Sequence, residues 1–146
     1  MSITRLEPKE AKAAMDETDG SVYLDVRTEM EFAQGHAEGA INIPVAVPGA
    51  GGMMPNPDFL SVVQKVLADK DRAIFCGCQV GARSQMAAEL MSQAGYSNLV
   101  NIQGGFGGRV ENGALVVVGW RDSGLPVETA VTDENSYASM KQNAEG

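Results

Sequence analysis

Ala73-Ile74-Phe75-Cys76-Gly77-Cys78-Gln79-Val80-Gly81-Ala82-Arg83-Ser84 is the stretch on which the fold turns. Its first four residues are apolar and rich in β-formers, the composition of a short buried strand. Beyond Ser84, Met86, Leu90 and Met91 recur at helical spacing and Gly95 supplies a stop, so residues 84–94 read as a helix. Gly81 lies inside the turn between them. Cys78 is therefore placed just past a strand and just before a helix. A helix N-terminus offers unpaired backbone N–H groups and the positive end of a dipole. A thiol placed there is pushed toward thiolate, the nucleophilic form, without a histidine base. The amides of residues 79–83 are placed to cradle an anion. Gln79, Val80 and Ala82 shape this loop through their backbone, and their side chains tune access. Arg83 reads as the cationic wall of the pocket, its planar fork suited to sulfonate-like or phosphate-like oxygens. Ser84 caps or opens the helix.

The same alternation runs outward in both directions. Ile3-Thr4 is a candidate first strand, and Pro8 opens a helix containing Ala11, Ala14 and Met15. Val22-Tyr23-Leu24-Asp25-Val26 reads as a strand. Thr28 with Glu31 forms a capping box for a helix through Phe32 that stops at Gly35. Ala40-Ile41-Asn42-Ile43 is a further strand, followed by a loop over 48–55 that holds Met53-Met54. The two methionines suit either a loop plug or an adaptable partner contact. Asn56 is placed to cap a helix with Pro57 in its first turn, and Phe59, Leu60, Val63, Val66 and Leu67 follow at helical spacing. Leu99-Val100-Asn101-Ile102 is the last core strand. Strands alternating with helices predict a three-layer α/β fold, a mostly parallel sheet with helices on both faces. Ligands of such sheets bind beyond the carboxyl ends of the strands, where Cys78 falls. Residues 104–108 read as a flexible turn, and Asn112-Gly113 marks a two-residue hairpin. The domain is expected over 1–128, with 129–146 a polar, flexible tail.

At 146 residues and a formal net charge of −8 the chain suits one domain that does not bind nucleic acid. A small anionic substrate stays open, because a local field can oppose the global sign. Cys76 and Cys78, the two cysteines, are one residue apart, too close for a structural staple. With one histidine, they do not make a structural zinc site. No metal or organic cofactor is expected. Residues 1–6 carry no signal-peptide core and no run reaches membrane-spanning length, so the cytoplasm is the expected compartment and no membrane partner is expected.

Several motifs, in order, resemble the rhodanese family of sulfurtransferases. They are Leu24-Asp25-Val26-Arg27, then Glu31-Phe32 and Gly35-His36-Ala37-Glu38-Gly39-Ala40; Cys78 with Arg83 and Ser84; Gly95-Tyr96 and Gly104-Gly105; and Trp120 with Gly124-Leu125-Pro126. The resemblance covers about residues 3–128 and is nearest to the single-domain type. It implies a rhodanese-like fold, Cys78 as the nucleophile, and its persulfide held by the loop of Gln79, Val80, Gly81, Ala82, Arg83 and Ser84. It implies structural roles for His36, Asp25 and Arg27. Its substrates would be a small sulfur-containing anion such as thiosulfate, or a persulfide donor, and a cyanide or thiol acceptor. A second protein in a sulfur relay is a further partner, with the chain then acting as a persulfide carrier. Related phosphatases and arsenate reductases carry a Cys-to-Arg loop one residue longer, whereas Cys78 to Arg83 counts six. Cys76 reads as a small core residue, with a second, resolving thiol as the sharper alternative. The length between Gly105 and Trp120 departs from the family, which more often enters a short helix there.

Overall fold

The structure is a computed structural model that describes residues 3–145. Met1, Ser2 and Gly146, which end the expected domain and tail, lie outside the described residues. Five parallel strands form the central sheet: β1 (Thr4–Leu6), β2 (Val22–Asp25), β4 (Ile41–Asn42), β7 (Ile74–Gly77) and β8 (Leu99–Ile102). Their order across the sheet is β1-β8-β7-β2-β4. Helices α1 (Pro8–Glu17), α2 (Glu29–Gln34), α3 (Phe59–Val66), α4 (Ala82–Gln93) and α5 (Tyr137–Glu145) connect or cover it. The fold is the α/β arrangement that the alternation predicts.

Side chains alternate across each strand and sort the core into two layers. Leu24, Ile74, Cys76, Cys78 and Leu99 point to one face and pack with Phe59, Val63, Ala87 and Met91 of α3 and α4. Tyr23, Phe75, Val100 and Ile102 point to the other and pack with Ala11, Phe32 and Trp120. By the same alternation Asn101, between Val100 and Ile102, lies on the α4 face. Tyr23 and Trp120 meet edge to face with centroids 5.2 Å apart.

The sequence readings of 48–55, 56–57 and the chain end differ from the structure. Residues 46–55 form an exposed hairpin of β5 (Ala46–Gly49) and β6 (Gly52–Pro55), despite Pro and Gly content that reads as loop. Asn56 does not cap α3. Its Oδ1 accepts from the Asp58 N–H at 3.0 Å, and its Nδ2 donates to Pro44 O and Tyr137 Oη. The expected flexible tail is instead closed by α5, whose Tyr137 and Met140 are buried in the α3/α4 layer. Tyr137, Met140 and Ala144 make a narrow apolar stripe at i, i+3 and i+7, which a polar composition masks. Met140→Ala should therefore cost about 2–4 kcal/mol in urea denaturation with an unchanged m value. A flexible tail would show no loss.

The Asn112-Gly113 hairpin forms as the sequence predicts, joining β9 (Arg109–Glu111) to β10 (Ala114–Val117), with φ of 53° and 79° at the turn. A last antiparallel pair joins β3 (His36–Ala37) to β11 (Val127–Glu128). Among the described residues, no helix is long and apolar enough to cross a membrane.

Candidate active site

The strand β7 ends at Gly77 and α4 begins at Ala82, so residues 78–81 are the whole connection. Gly81 stands at the head of α4 with φ of 118°, a backbone state that L side chains avoid. This bend turns the Gly81 N–H back onto Cys78 Sγ at 2.9 Å. Cys78 is 1 % exposed, so its sulfur lies on the floor of the loop while Val80 stands out at the rim. The first N–H groups of α4 lack intrahelical acceptors by position, which puts further donors beside the loop. Among the described residues, no three His, Cys, Asp or Glu side chains are grouped to hold a metal ion.

The segment read as a flexible turn is a clamp under this loop. Phe106 N–H donates to Cys78 O at 2.7 Å and Gly107 N–H to Gln79 O at 2.9 Å. Gly105 sits directly against Cys78, with φ of 55°, and a β-carbon there would overlap the Cys78 carbonyl oxygen. Buried Asp25 and Arg27 brace the other side. Arg27 Nη2 donates to Asp25 Oδ2 at 2.8 Å and to Gly35 O at 2.7 Å. Its Nη1 donates to Gln79 Oε1 at 3.2 Å, and its guanidinium lies 4.6 Å from the Phe106 ring centre. His36 is fully buried and stacked on Phe32, and its Nδ1–H donates to Phe32 O at 2.7 Å. It holds the turn between α2 and β3.

Arg83, expected as the cationic wall of the pocket, is paired to a carboxylate. Its guanidinium forks onto Glu31, Nη1 to Oε1 at 2.7 Å and Nη2 to Oε2 at 2.9 Å. Glu31 also closes the α2 capping box with Thr28. The pairing spans 52 positions, so the local motif shows the cap and hides the pair. The hydrogen bond from Arg83 is the main cause holding the Glu31 carboxyl, ordinarily at 4.5, down to about 2. A depressed carboxyl stabilises the fold above its ordinary range, and that stabilisation is lost as pH falls toward 2. Glu31→Gln should flatten the stability-against-pH curve over this acid window in urea denaturation. An unchanged acid limb would show that the pair contributes nothing there.

Two clefts flank the loop. One of about 450 Å³ is lined by Arg27, Gln79, Phe106 and Arg121. The other, about 280 Å³, is lined by Val80, Ala82, Arg5, Asn101 and Arg109, the last from the β9–β10 hairpin. Ser84 is buried and its hydroxyl lies 3.4 Å from Cys78 Sγ and 2.6 Å from Asn101 Oδ1. Asn101 carries no functional motif in the sequence. Its one signal is a polar side chain inside an apolar strand.

The sequence profile of the rhodanese-like domain matches residues 7–111. The chain belongs to the rhodanese-like domain family. It is 47 % identical over 94 residues to thiosulfate sulfurtransferase 16, chloroplastic, of Arabidopsis thaliana, spanning 64 % of this chain and 78 % of that one. With thiosulfate sulfurtransferase 18 of the same plant it shares 34 % over 129 residues, 87 % and 85 % of the two chains. The crystal structure of Rv0390 from M. tuberculosis superposes with a TM-score of 0.72 at 26 % identity, covering 89 % of this chain and 100 % of that one. The match to the rhodanese-like domain ends at Glu111, the last residue of β9.

Within this rhodanese-like site the second cysteine is a core atom. Cys76 is fully buried, and burial pushes its thiol up to about 12. A thiol so protonated is a poor nucleophile at neutral pH. Cys76→Ala should leave thiosulfate:cyanide turnover within about twofold of the parent. A loss of turnover or of oxidation resistance would reinstate Cys76 as a resolving thiol.

Proposed function

We propose that this rhodanese-like chain is a sulfurtransferase that works by double displacement through a Cys78 persulfide. The observation that carries the reading is the sulfur of Cys78 on the floor of a six-residue Cys-to-Arg loop at the head of α4, accepting the Gly81 N–H at 2.9 Å. In the first step the Cys78 thiolate attacks the outer sulfur of a donor such as thiosulfate. The sulfur–sulfur bond of the donor breaks, sulfite leaves with the bonding pair, and the outer sulfur stays on Cys78. In the second step a thiophile, cyanide or a thiol, attacks that outer sulfur and the Cys78 thiolate returns. The loop N–H groups serve the anionic sulfur in both steps. Enclosure of the sulfur favours a small donor that presents a terminal sulfur and shields the persulfide from bulk water. Gln79, Val80, Gly81 and Ala82 form the cradle, Ser84 meets the sulfur, and Arg83 fixes the loop to α2 through Glu31. Asp25, Arg27 and His36 hold the surrounding turns. The family resemblance and the thiosulfate sulfurtransferase names of two relatives support this assignment.

A cytoplasmic setting is part of the proposal, as is a thiol or a sulfur-relay protein as the acceptor in the cell. The loop of six residues disfavours phosphate or arsenate chemistry. Turnover of thiosulfate with cyanide should exceed turnover of an aryl phosphate or of arsenate with a thiol reductant by orders of magnitude. The reverse ranking would replace sulfur transfer with oxyanion chemistry. Stoichiometric sulfur loading with slow turnover would instead mark a persulfide carrier.

A further inference from the structure

A buried polar side chain in a core strand is costly unless its groups are satisfied. Asn101 is such a residue, 6 % exposed on β8 and facing α4. Its amide links the head of α4 to the sulfur, and the donors along this chain fix which way each proton points. The Glu89 carboxylate only accepts. Gln85 therefore turns its Nε2 to Glu89, at 3.3 Å, and its Oε1 to Asn101. Asn101 Nδ2 donates to that oxygen at 3.0 Å and also faces the Gly81 carbonyl at 3.5 Å. Both contacts would be lost if the amide were flipped. Asn101 Oδ1 is thus directed to Ser84, whose hydroxyl donates to it at 2.6 Å, closer than the Gly81 carbonyl at 3.1 Å.

Ser84 has a single hydroxyl proton. While Asn101 holds it, Ser84 Oγ offers only lone pairs to Cys78 Sγ at 3.4 Å. That arrangement suits a thiol, whose S–H can donate to Oγ. It opposes a thiolate, which would face those lone pairs while the Gly81 N–H donates to it from the loop. We propose that Asn101 is a positioning residue for the nucleophile: it sets the direction of the Ser84 hydroxyl, and that hydroxyl swings from Asn101 to Cys78 Sγ as the thiolate forms. The proton lost by Cys78 passes to solvent base. Ser84 keeps its own proton throughout, and Asn101 neither gains nor loses one. The inference rests on Cys78 being the reacting thiol of the proposed transferase.

Other charged or titratable groups surround the pair. Tyr23, Cys76 and Arg83, with Glu31 behind it, lie within electrostatic reach of Cys78. The Asp25–Arg27 pair stands at the end of β2. Arg5 is the β1 neighbour of Asn101, and Glu89 ends the amide chain on α4. All of them stay in place in the variants below.

The test is the pH dependence of Cys78 alkylation by iodoacetamide, followed by mass spectrometry of the intact chain. Asn101→Leu keeps the volume and removes the nearest acceptor, which leaves the hydroxyl to the Gly81 carbonyl at 3.1 Å and to the sulfur, and a thiolate is the stronger acceptor of the two. Its profile midpoint should move down by about one pH unit. Asn101→Asp holds the hydroxyl more tightly and adds a charge, so its midpoint should move up by a similar amount. Ser84→Ala with Asn101→Leu should match Ser84→Ala alone, because Asn101 acts through the hydroxyl. Should the leucine variant fail to fold, Asn101→Ala carries the same prediction. Shifts in one direction for both substitutions, or an Asn101→Leu shift that persists without the Ser84 hydroxyl, would overturn the proposal. Absence of sulfur loading from thiosulfate in the parent would strike the transferase reading and leave these profiles as they are.

Discussion

Cys78→Ser is expected to lower thiosulfate:cyanide turnover by about 1,000-fold or more, with the fold intact. The argument is chemical before it is structural. A serine hydroxyl in the same cradle is not ionised at neutral pH and is a weak nucleophile without a base. No histidine stands ready to supply one, since His36 is buried and its Nδ1–H is engaged by Phe32 O. The substitution exchanges one buried atom for another of similar size, so urea denaturation should report a loss of no more than about 1–2 kcal/mol. Residual turnover within tenfold of the parent would place the reacting group elsewhere.

The second large effect belongs to a glycine that touches no substrate. Gly105→Ala should cost about 3 kcal/mol or more and lower turnover at least tenfold at temperatures where the variant is still folded. Two causes combine. The backbone φ of 55° is strained for an L side chain, and the added methyl meets the Cys78 carbonyl and the Gln79 backbone. Relief requires the clamp to back away from the loop. The Phe106 N–H bond to Cys78 O and the Gly107 N–H bond to Gln79 O hold the cradle in register, and both would lengthen. Denaturation and steady-state kinetics together check this. Full activity with lowered stability would show that the clamp supports the fold and leaves the sulfur unaffected.

Much of the site's placement is legible from short-range pattern. A buried run, a turn glycine and a helical repeat suffice to set Cys78 at a strand end before a helix. Thr28 and Glu31 mark the start of α2 in the same local way. Contacts across many positions are invisible to that reading. The fork of Arg83 onto Glu31 joins two motifs, each already explained by itself, and so the sequence shows the arginine as a pocket wall without its carboxylate partner. The run of glycines at 104–108 reads as flexible because glycine signals permissive backbone. Here the same permissiveness serves close approach to Cys78. Asn101 blends into an apolar strand, and its meaning appears only when α4 lays Ser84 and Gln85 over it. The last helix escapes because three apolar residues among polar ones are enough to dock it, while composition alone reports the polar majority. The hairpin over 46–55 lacks strand-like alternation and is held by backbone pairing that leaves most of its side chains exposed.

Sulfur on Cys78 is the central claim, and the mass of the intact chain tests it most directly. Protein treated with thiosulfate and freed of reagent should gain the mass of one sulfur atom, lose it again on addition of cyanide, and yield one thiocyanate per chain. Cys76→Ala should behave the same way, and Cys78→Ser should gain nothing. A chain that takes up no sulfur from thiosulfate, polysulfide or a glutathione persulfide, or a Cys78→Ser variant that still takes it up, would contradict the account.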